Sequence, residues 1–385
     1  MNIAIITWEY PPYFSGGLGR HCYYLTSSLE KFGNRVTVFT QYGKSDGKKI
    51  KIINVGKIFS DCYYTKCKEG EHSYSCSNFL ECFYHFNHRI FRLFSFLIKE
   101  GRHFDVVHCH DWLTFPAGIK IKEKYGIPLV ITFHSLEYDR CAETVPWEVP
   151  LNTELEGIKK ADIIIANSGY TKERLISKYN APPEKIRVIY NGINAKEFKV
   201  AREDGRKIVL YLGRLTLHKG VDYFLEAAKK VLNFLPNARF IVAGSGEQLP
   251  NLIEKAIELG IADKVIFTGW ISDEEVKKLY ALADVYVLPS ISEPFGITIL
   301  EALASGTPAI VSKNSGVREI SNHILTVDFW DVDEMVNKVV GILKYPAIKK
   351  EIVRNVYRDL EKLSWDRVAE ETIKVYMEAI LCNGP

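Results

Sequence analysis

Short apolar runs of strand length recur along this chain, and most are followed by a stretch with helical apolar spacing. In the first half the pattern predicts strands at Asn2–Thr7, Arg35–Thr40, Asp105–His108, Leu129–Thr132, Ile163–Ala166 and Ile186–Val188. Helical spacing covers Leu18–Phe32, Phe79–Glu100, Phe115–Tyr125 and Thr171–Lys178. Such runs suit strands buried on both faces, in a parallel sheet covered by helices. From Tyr42 to Asn78 the pattern gives way to a polar region, read as short strands plus an insertion.

A charged, irregular stretch, Ile189–Gly205, contains Asn191-Gly192 and reads as a linker. The alternation then restarts, with strands at Ile208–Leu212, Arg239–Ala243, Val265–Thr268, Val285–Leu288, Pro308–Val311 and Ile324–Val327. Helices are predicted at Val221–Asn233, Gln248–Leu259, Asp273–Ala281, Ile297–Ala304, Gly316–Ile320, Asp331–Leu343, Pro346–Leu360 and Trp365–Leu381. The expected fold class is α/β, two doubly wound domains in tandem, with ligands at a cleft between the carboxyl ends of the sheets. The domains are drawn at 1–195, with a Cys-rich insertion at about 44–87, and at 206–360, followed by a segment 361–385.

At 385 residues the chain exceeds one ordinary core. A net charge of +3 gives no reason to expect nucleic acid as a partner. No apolar run approaches the roughly 20 residues of a membrane span. Met1–Thr7 enters a strand without a basic leader, so no signal peptide and a cytoplasmic location are expected. Four of the eight cysteines, Cys62, Cys67, Cys76 and Cys82, cluster near His72, His85 and His88. They lack a tight C-x-x-C pair, so free thiols are favoured over a zinc site or a disulfide. Phe79–Lys99 is aromatic with interspersed Arg89, Arg92 and Lys99; it either packs on the first sheet or touches a membrane surface. Oligomeric state is not legible.

The chemistry concentrates in Glu293-Pro294-Phe295-Gly296-Ile297-Thr298-Ile299-Leu300-Glu301. Glu293 sits on a strand-to-helix loop, and the N–H groups of Gly296, Ile297 and Thr298 open the helix. Uncapped N–H groups and the helix dipole together attract phosphate. Two carboxylates suggest acid/base work, yet eight helical residues rise about 12 Å. A glycosidase pair needs roughly 5 to 9.5 Å. Glu293 and Glu301 are therefore expected to touch different parts of one long ligand.

Another loop, Gly213-Arg214-Leu215-Thr216-Leu217-His218-Lys219-Gly220, leaves a strand with two cations five residues apart. Arg214 suits bidentate contact with a diphosphate, and Lys219 supplies a mobile point charge. Gly244 and Gly246 end the next strand and face the same place. In the first domain Gly16-Gly17 lies at the mouth of a helix, where backbone can approach a phosphate or sugar. These glycines come too late for a dinucleotide fingerprint, and no acidic residue follows the second strand, which argues against a dehydrogenase. His108 and His110 share one strand face, followed by Asp111; no third zinc ligand is evident. His134, beside Ser135 and Glu137, is the better cleft histidine. Asp331-Val332-Asp333 reads as a helix N-cap with an acidic first turn, not a metal motif.

Assembled, these residues resemble the retaining glycosyltransferases of the GT-B fold, family 4, on the glycogen-synthase-like side. The motifs are W-E-Y-P-P…G-G-L-G-R-H at Trp8 to His21, H-D-W at His110 to Trp112, and F-H-S-L-E-Y at Phe133 to Tyr138. N-G-I at Asn191, G-R-L…K-G at Gly213, G-S-G-E at Gly244 and E-P-F-G…E at Glu293 complete them. The resemblance implies that Arg214 and Lys219 bind the donor diphosphate, assisted by Gly17 and the amides of Gly296–Thr298. It further implies that Glu293 holds donor-sugar hydroxyls, Glu301 the ribose, and His134 the sugar near the reacting carbon. Asp111 would line the acceptor side with His110 and Glu137, Trp270 would lie near the base, and the last helix would cross back onto the first domain. The implied reaction is metal-free and cofactor-free hexosyl transfer from UDP- or ADP-glucose to a saccharide or α-glucan. Lipid-linked or small-molecule acceptors, and an NDP-sugar 2-epimerase or hydrolase, are the alternatives. Two departures bear on nucleotide and acceptor: Ser15 stands where ADP-glucose users carry lysine, and Phe295 where many bacterial members carry cysteine.

Overall fold

The computed structural model describes residues 1–12, 16–44, 50–56, 76–198 and 205–382. They form two compact units. The first comprises Met1–Tyr138, Val145–Gly192 and Ser364–Pro385, the second Asp139–Thr144 and Ile193–Leu363.

The first unit runs β1 (Asn2–Ile6), α1 (Gly17–Lys31), β2 (Arg35–Thr40), β3 (Ile50–Asn54), α2 (Cys76–Lys99), β4 (Val106–His110), α3 (Phe115–Tyr125) and β5 (Leu129–Phe133). It continues through α4 (Glu137–Arg140, of which Asp139 and Arg140 fall in the second unit), α5 (Glu148–Lys160), β6 (Ile163–Ala166), α6 (Gly169–Tyr179) and β7 (Ile186–Val188). The second unit holds β8 (Ile208–Leu212), α7 (Val221–Phe234), β9 (Arg239–Ala243), α8 (Leu249–Glu258), β10 (Val265–Gly269) and α9 (Asp273–Leu282). After these come β11 (Val285–Leu288), α10 (Ile297–Ala304), β12 (Ala309–Ser312), β13 (Leu325–Val327), α11 (Val332–Lys344) and α12 (Pro346–Leu360). The last helix, α13 (Trp365–Cys382), belongs to the first unit.

Both sheets are parallel throughout, in the orders β3-β2-β1-β4-β5-β6-β7 and β10-β9-β8-β11-β12-β13. Every residue of β4, β5, β8 and β11 is buried, which is why these strands read as unbroken apolar runs. Strand order reverses between β1 and β4 in one sheet and between β8 and β11 in the other. Helices diverge at such points and leave a crevice at the strand carboxyl ends.

On α2, Phe83, Phe86, Ile90 and Phe94 are buried at helical spacing in the first core. Each buried phenyl contributes about 1.5–3 kcal/mol, so this aromatic face is explained by packing. No helix among the described residues is long and apolar enough to cross a membrane. On α13, Trp365, Val368, Ala369, Thr372, Val375, Tyr376 and Ala379 are buried, and the helix packs on α1, β4 and β5.

Several boundaries differ from the sequence expectation. The strand expected to close at His108 continues through His110. The helix expected over Gly316–Ile320 is a four-residue 3-10 turn, Gly316–Glu319, too short to close α-helical bonds. Helix α5 and strand β3 had not been expected as such. Within the linker, a 3-10 turn at Ala195–Phe198 buries Phe198 against Tyr280, ring centroids 6.4 Å apart. Asp331 caps α11, its side chain accepting from the Glu334 N–H at 3.0 Å. Cys62, Cys67 and the Cys76 side chain lie outside the described residues; Cys82 is a free thiol.

Candidate active site

In the second unit, the loops that follow β8 and β11 flank the reversal of strand order. From the β8 loop comes Lys219, at the end of a 3-10 turn, Leu217–Lys219. Gly220 closes that turn in the left-handed region at φ 63, and a Cβ there would fall 2.1 Å from the Pro289 carbonyl oxygen. Only glycine lets these two loops approach so closely. From the β11 loop comes Glu293, whose backbone pairs with Asn314 and Gly316, both at 2.9 Å. Across the reversal the Lys219 ammonium donates to Glu293 Oε2 at 2.6 Å. Both side chains are largely shielded, 13% and 11% exposed.

Phe295 is buried, Gly296 takes φ 100 as N-cap of α10, and no side chain caps that helix. Its first N–H groups are thus presented beside Glu293, with Ile297 and Thr298 half-buried. The Tyr286 hydroxyl donates to the Leu212 carbonyl at 2.8 Å and lies 3.0 Å from Thr298 Oγ1. Arg214 leaves the same β8 loop, its carbonyl accepting from the Tyr211 hydroxyl at 2.8 Å. Backbone bonds tie the ends of β8, β9 and β10 together: Gly213 N to Ala243 O at 3.0 Å, Leu215 N to Ser245 O at 2.9 Å and Gly244 N to Gly269 O at 3.0 Å. A Cβ on Gly244 would lie 2.0 Å from the Gly213 oxygen, and one on Gly246 2.3 Å from the Leu215 oxygen. Trp270, past β10, is 74% exposed.

Glu301, on α10, is buried as Glu293 is. It is 2% exposed, and its carboxylate accepts from the Tyr280 hydroxyl at 3.1 Å. Glu293 and Glu301 thus have separate partners. Sequence reading gave no role to His218, which burial and then the charges of Lys219 and Arg214 hold well below the usual imidazole range.

The first unit has its own constellation at the β1/β4 reversal. Gly16, with extended backbone at φ −167, is the N-cap of α1, and Gly17 opens that helix without a side-chain cap. His108 and His110 lie side by side on one face of β4, rings tilted by 39° with centroids 4.1 Å apart. Asp111 adopts φ 59, and its Oδ1 accepts from the amides of His134 at 2.7 Å and Ser135 at 3.3 Å. The carboxylate thereby fixes the loop carrying His134. His110 Nδ1 lies 3.0 Å from His134 Nε2. Glu137 is buried, and its Oε1 accepts from the Trp147 amide at 2.9 Å, holding the start of α5.

Two further histidines complete the group. His108 is enclosed, with Nδ1 2.7 Å from the Tyr376 hydroxyl and Nε2 2.7 Å from Thr132 Oγ1. His21, from α1, meets Asn191 Oδ1 through Nδ1 at 2.6 Å and stacks edge-on against His134 at 4.5 Å. Burial, with its histidine neighbours adding, holds His21, His108 and His110 well below the usual imidazole range, and burial takes His134 to about 3. The group is neutral at physiological pH. The third imidazole that sequence reading did not find is His21, whose partner lies 170 residues away along the chain.

The family model described as glycosyl transferases group 1 matches residues 193–359, and that described as Glycosyltransferase Family 4 matches 15–197. An uncharacterized glycosyltransferase of Methanocaldococcus jannaschii is 34% identical over 406 residues, covering all of both chains. The chain belongs to the family 4 glycosyltransferases. This enzyme is also 29% identical over 394 residues to a glycogen synthase of Mycobacterium tuberculosis, covering 98% of this chain and 95% of that one. Its fold is GT-B. Sucrose-phosphate synthase from Thermosynechococcus elongatus superposes with a TM-score of 0.79 at 22% identity, over 99% of each chain. Starch synthase IV from Arabidopsis thaliana gives 0.74 at 17% identity, over 98% of this chain and 99% of that one.

Proposed function

We propose that this glycosyltransferase moves a hexosyl group, glucose first among candidates, from UDP- or ADP-sugar to a saccharide hydroxyl, with retention and without a metal in the transfer step. The observation that carries the reading is the Lys219–Glu293 pair beside the uncapped start of α10. As the bond from sugar to diphosphate breaks, negative charge grows on the leaving group. Arg214, Lys219 and the α10 amides are fixed in advance to receive it, which lowers the barrier without reorganisation. Glu293 holds Lys219 in the ligand-free protein; with donor bound, the same carboxylate accepts from sugar hydroxyls. The family resemblance gives Glu301 the ribose, Trp270 the neighbourhood of the base, and Gly16, Gly17, Gly244 and Gly246 close backbone approach. It gives His134 the transferred sugar and His110, Asp111 and Glu137 the acceptor side. Without a carboxylate nucleophile in this reading, the leaving phosphate itself takes the acceptor proton on the same face.

Identity to a glycogen synthase along nearly the whole chain supports an α-glucan acceptor. A small acceptor is the second reading, favoured by 30% identity over 311 residues to the D-inositol 3-phosphate glycosyltransferase of Acidothermus cellulolyticus. The deciding experiment is a panel of NDP-sugars, reading nucleotide release with and without glucan primer. Release stimulated by primer supports the first reading. No release with any donor, with or without acceptor, overturns both.

A further inference from the structure

We infer that His21, His110 and His134 form a binding site for one divalent transition-metal ion of the zinc class. Each offers a ring nitrogen, and these atoms lie within 4.8 Å of one another. His110 Nδ1 and His134 Nε2 are already 3.0 Å apart. Two nitrogens on one tetrahedral zinc stand about 3.3 Å apart, given Zn–N bonds of 2.0–2.1 Å. A metal can therefore replace the proton these rings share with small rotations alone.

Hydrogen bonding leaves the group incomplete. With Nδ1 of His110 turned to His134, the metal is placed on Nδ1 and the ring proton on Nε2, which is buried with no partner among the described residues. His108, by contrast, is bonded through both nitrogens and stands outside the set. Asn191 Oδ1 accepts from His21 Nδ1, the outer contact that fixes a ligating imidazole's tautomer and presents its Nε2 lone pair. Neutral imidazoles are the form that binds metal, and an all-imidazole set suits zinc, nickel or copper over magnesium or calcium. A metal there competes with any other ligand of His134.

The test is cobalt(II) titration of the untagged, full-length, chelator-treated protein, followed by displacement with zinc. Expected is one ion per chain with visible ligand-field absorption and no strong thiolate charge-transfer band. His21→Ala and His110→Ala should each abolish that signal, and Asn191→Ala should weaken binding about 10–100-fold. A double His85→Ala, His88→Ala variant, removing exposed histidines of α2, should bind normally. Because His110 is a core position, zinc-induced shifts of ring nitrogens in wild-type protein labelled with 15N-histidine give a readout that needs no variant. No binding, a thiolate band, binding that survives the loss of His21, or unshifted histidine resonances each overturn the site.

Discussion

Lys219 and Glu293 arrive from loops on opposite sides of the β8/β11 reversal and meet at 2.6 Å, each nearly nine-tenths shielded from water. In that setting an ammonium held near a developing diphosphate charge is worth far more than on an open surface. Lys219→Ala should lower kcat about a hundred- to a thousandfold, measured as nucleotide release at saturating donor. Near-normal turnover would remove Lys219 from the reaction.

The same pair should be coupled energetically. A double-mutant cycle of Lys219→Met and Glu293→Gln, followed by urea unfolding, should return an interaction of roughly 0.5–3 kcal/mol. Additive losses would mean that the contact contributes nothing to the resting protein.

Glycines should separate by their surroundings. Gly244→Ala meets the Gly213 carbonyl at 2.0 Å from a left-handed φ of 131, and should cost about 1–3 kcal/mol or more. Gly16→Ala has extended backbone and nothing within 4 Å of the new methyl, so it should lose only what a poorer N-cap costs, about 0.5–1 kcal/mol. Denaturant midpoints of the two variants check this, and equal losses would contradict it.

Stability of the metal-free protein should fall with acid. His134 titrates near 3 when folded and near 6.5 when unfolded, so between these values the unfolded chain holds the extra proton. Its contribution is fully present above 6.5 and is lost as pH falls towards 3, at about 1.4 kcal/mol per pH unit per histidine. His21, His108 and His110 are lowered in the same sense. Unfolding free energies at stepped pH should therefore show a shallower slope for His108→Asn than for wild type. Identical slopes would mean that His108 is not held neutral.

Tyr376 closes one side of His108 at 2.7 Å. Tyr376→Phe strips a buried imidazole nitrogen of its partner and should destabilise by about 1–3 kcal/mol. Thermal unfolding measures it, and an unchanged midpoint would show that the contact adds nothing.

How legible was this in the sequence? Strands such as Val285–Leu288 were, because burial on both faces leaves an apolar run with no alternation to misread. Helix α5 was not. Its buried face consists of Pro150, Thr153, Glu154, Gly157 and Ile158, so no apolar stripe betrays it. The N-cap Trp147 also makes no side-chain capping bond. Arg214, Lys219 and Glu293 could be nominated because strand-end loops carry them, whereas the Lys219–Glu293 contact depends on strand order, which sequence periodicity does not encode. His21 was hidden for a like reason: a histidine in a helix looks ordinary until β4 and β5 bring His110 and His134 to it. Glu301 is legible as a helix carboxylate from its spacing, whereas its burial against Tyr280 depends on the packing of α10.

The return of α13 to the first unit bears on how relatives of this enzyme can be recombined. A chimera joined once, near Gly192, would carry residues 364–385 from the wrong parent, facing a foreign β4 with the tyrosine that its histidine needs. Crossovers at Gly192 and at Ser364 are both required, so the first unit is inherited as a discontinuous cassette that also carries the short segment Asp139–Thr144. Homologous exchange that spares one junction will yield chains whose second half is intact and whose first half is closed by a mismatched helix.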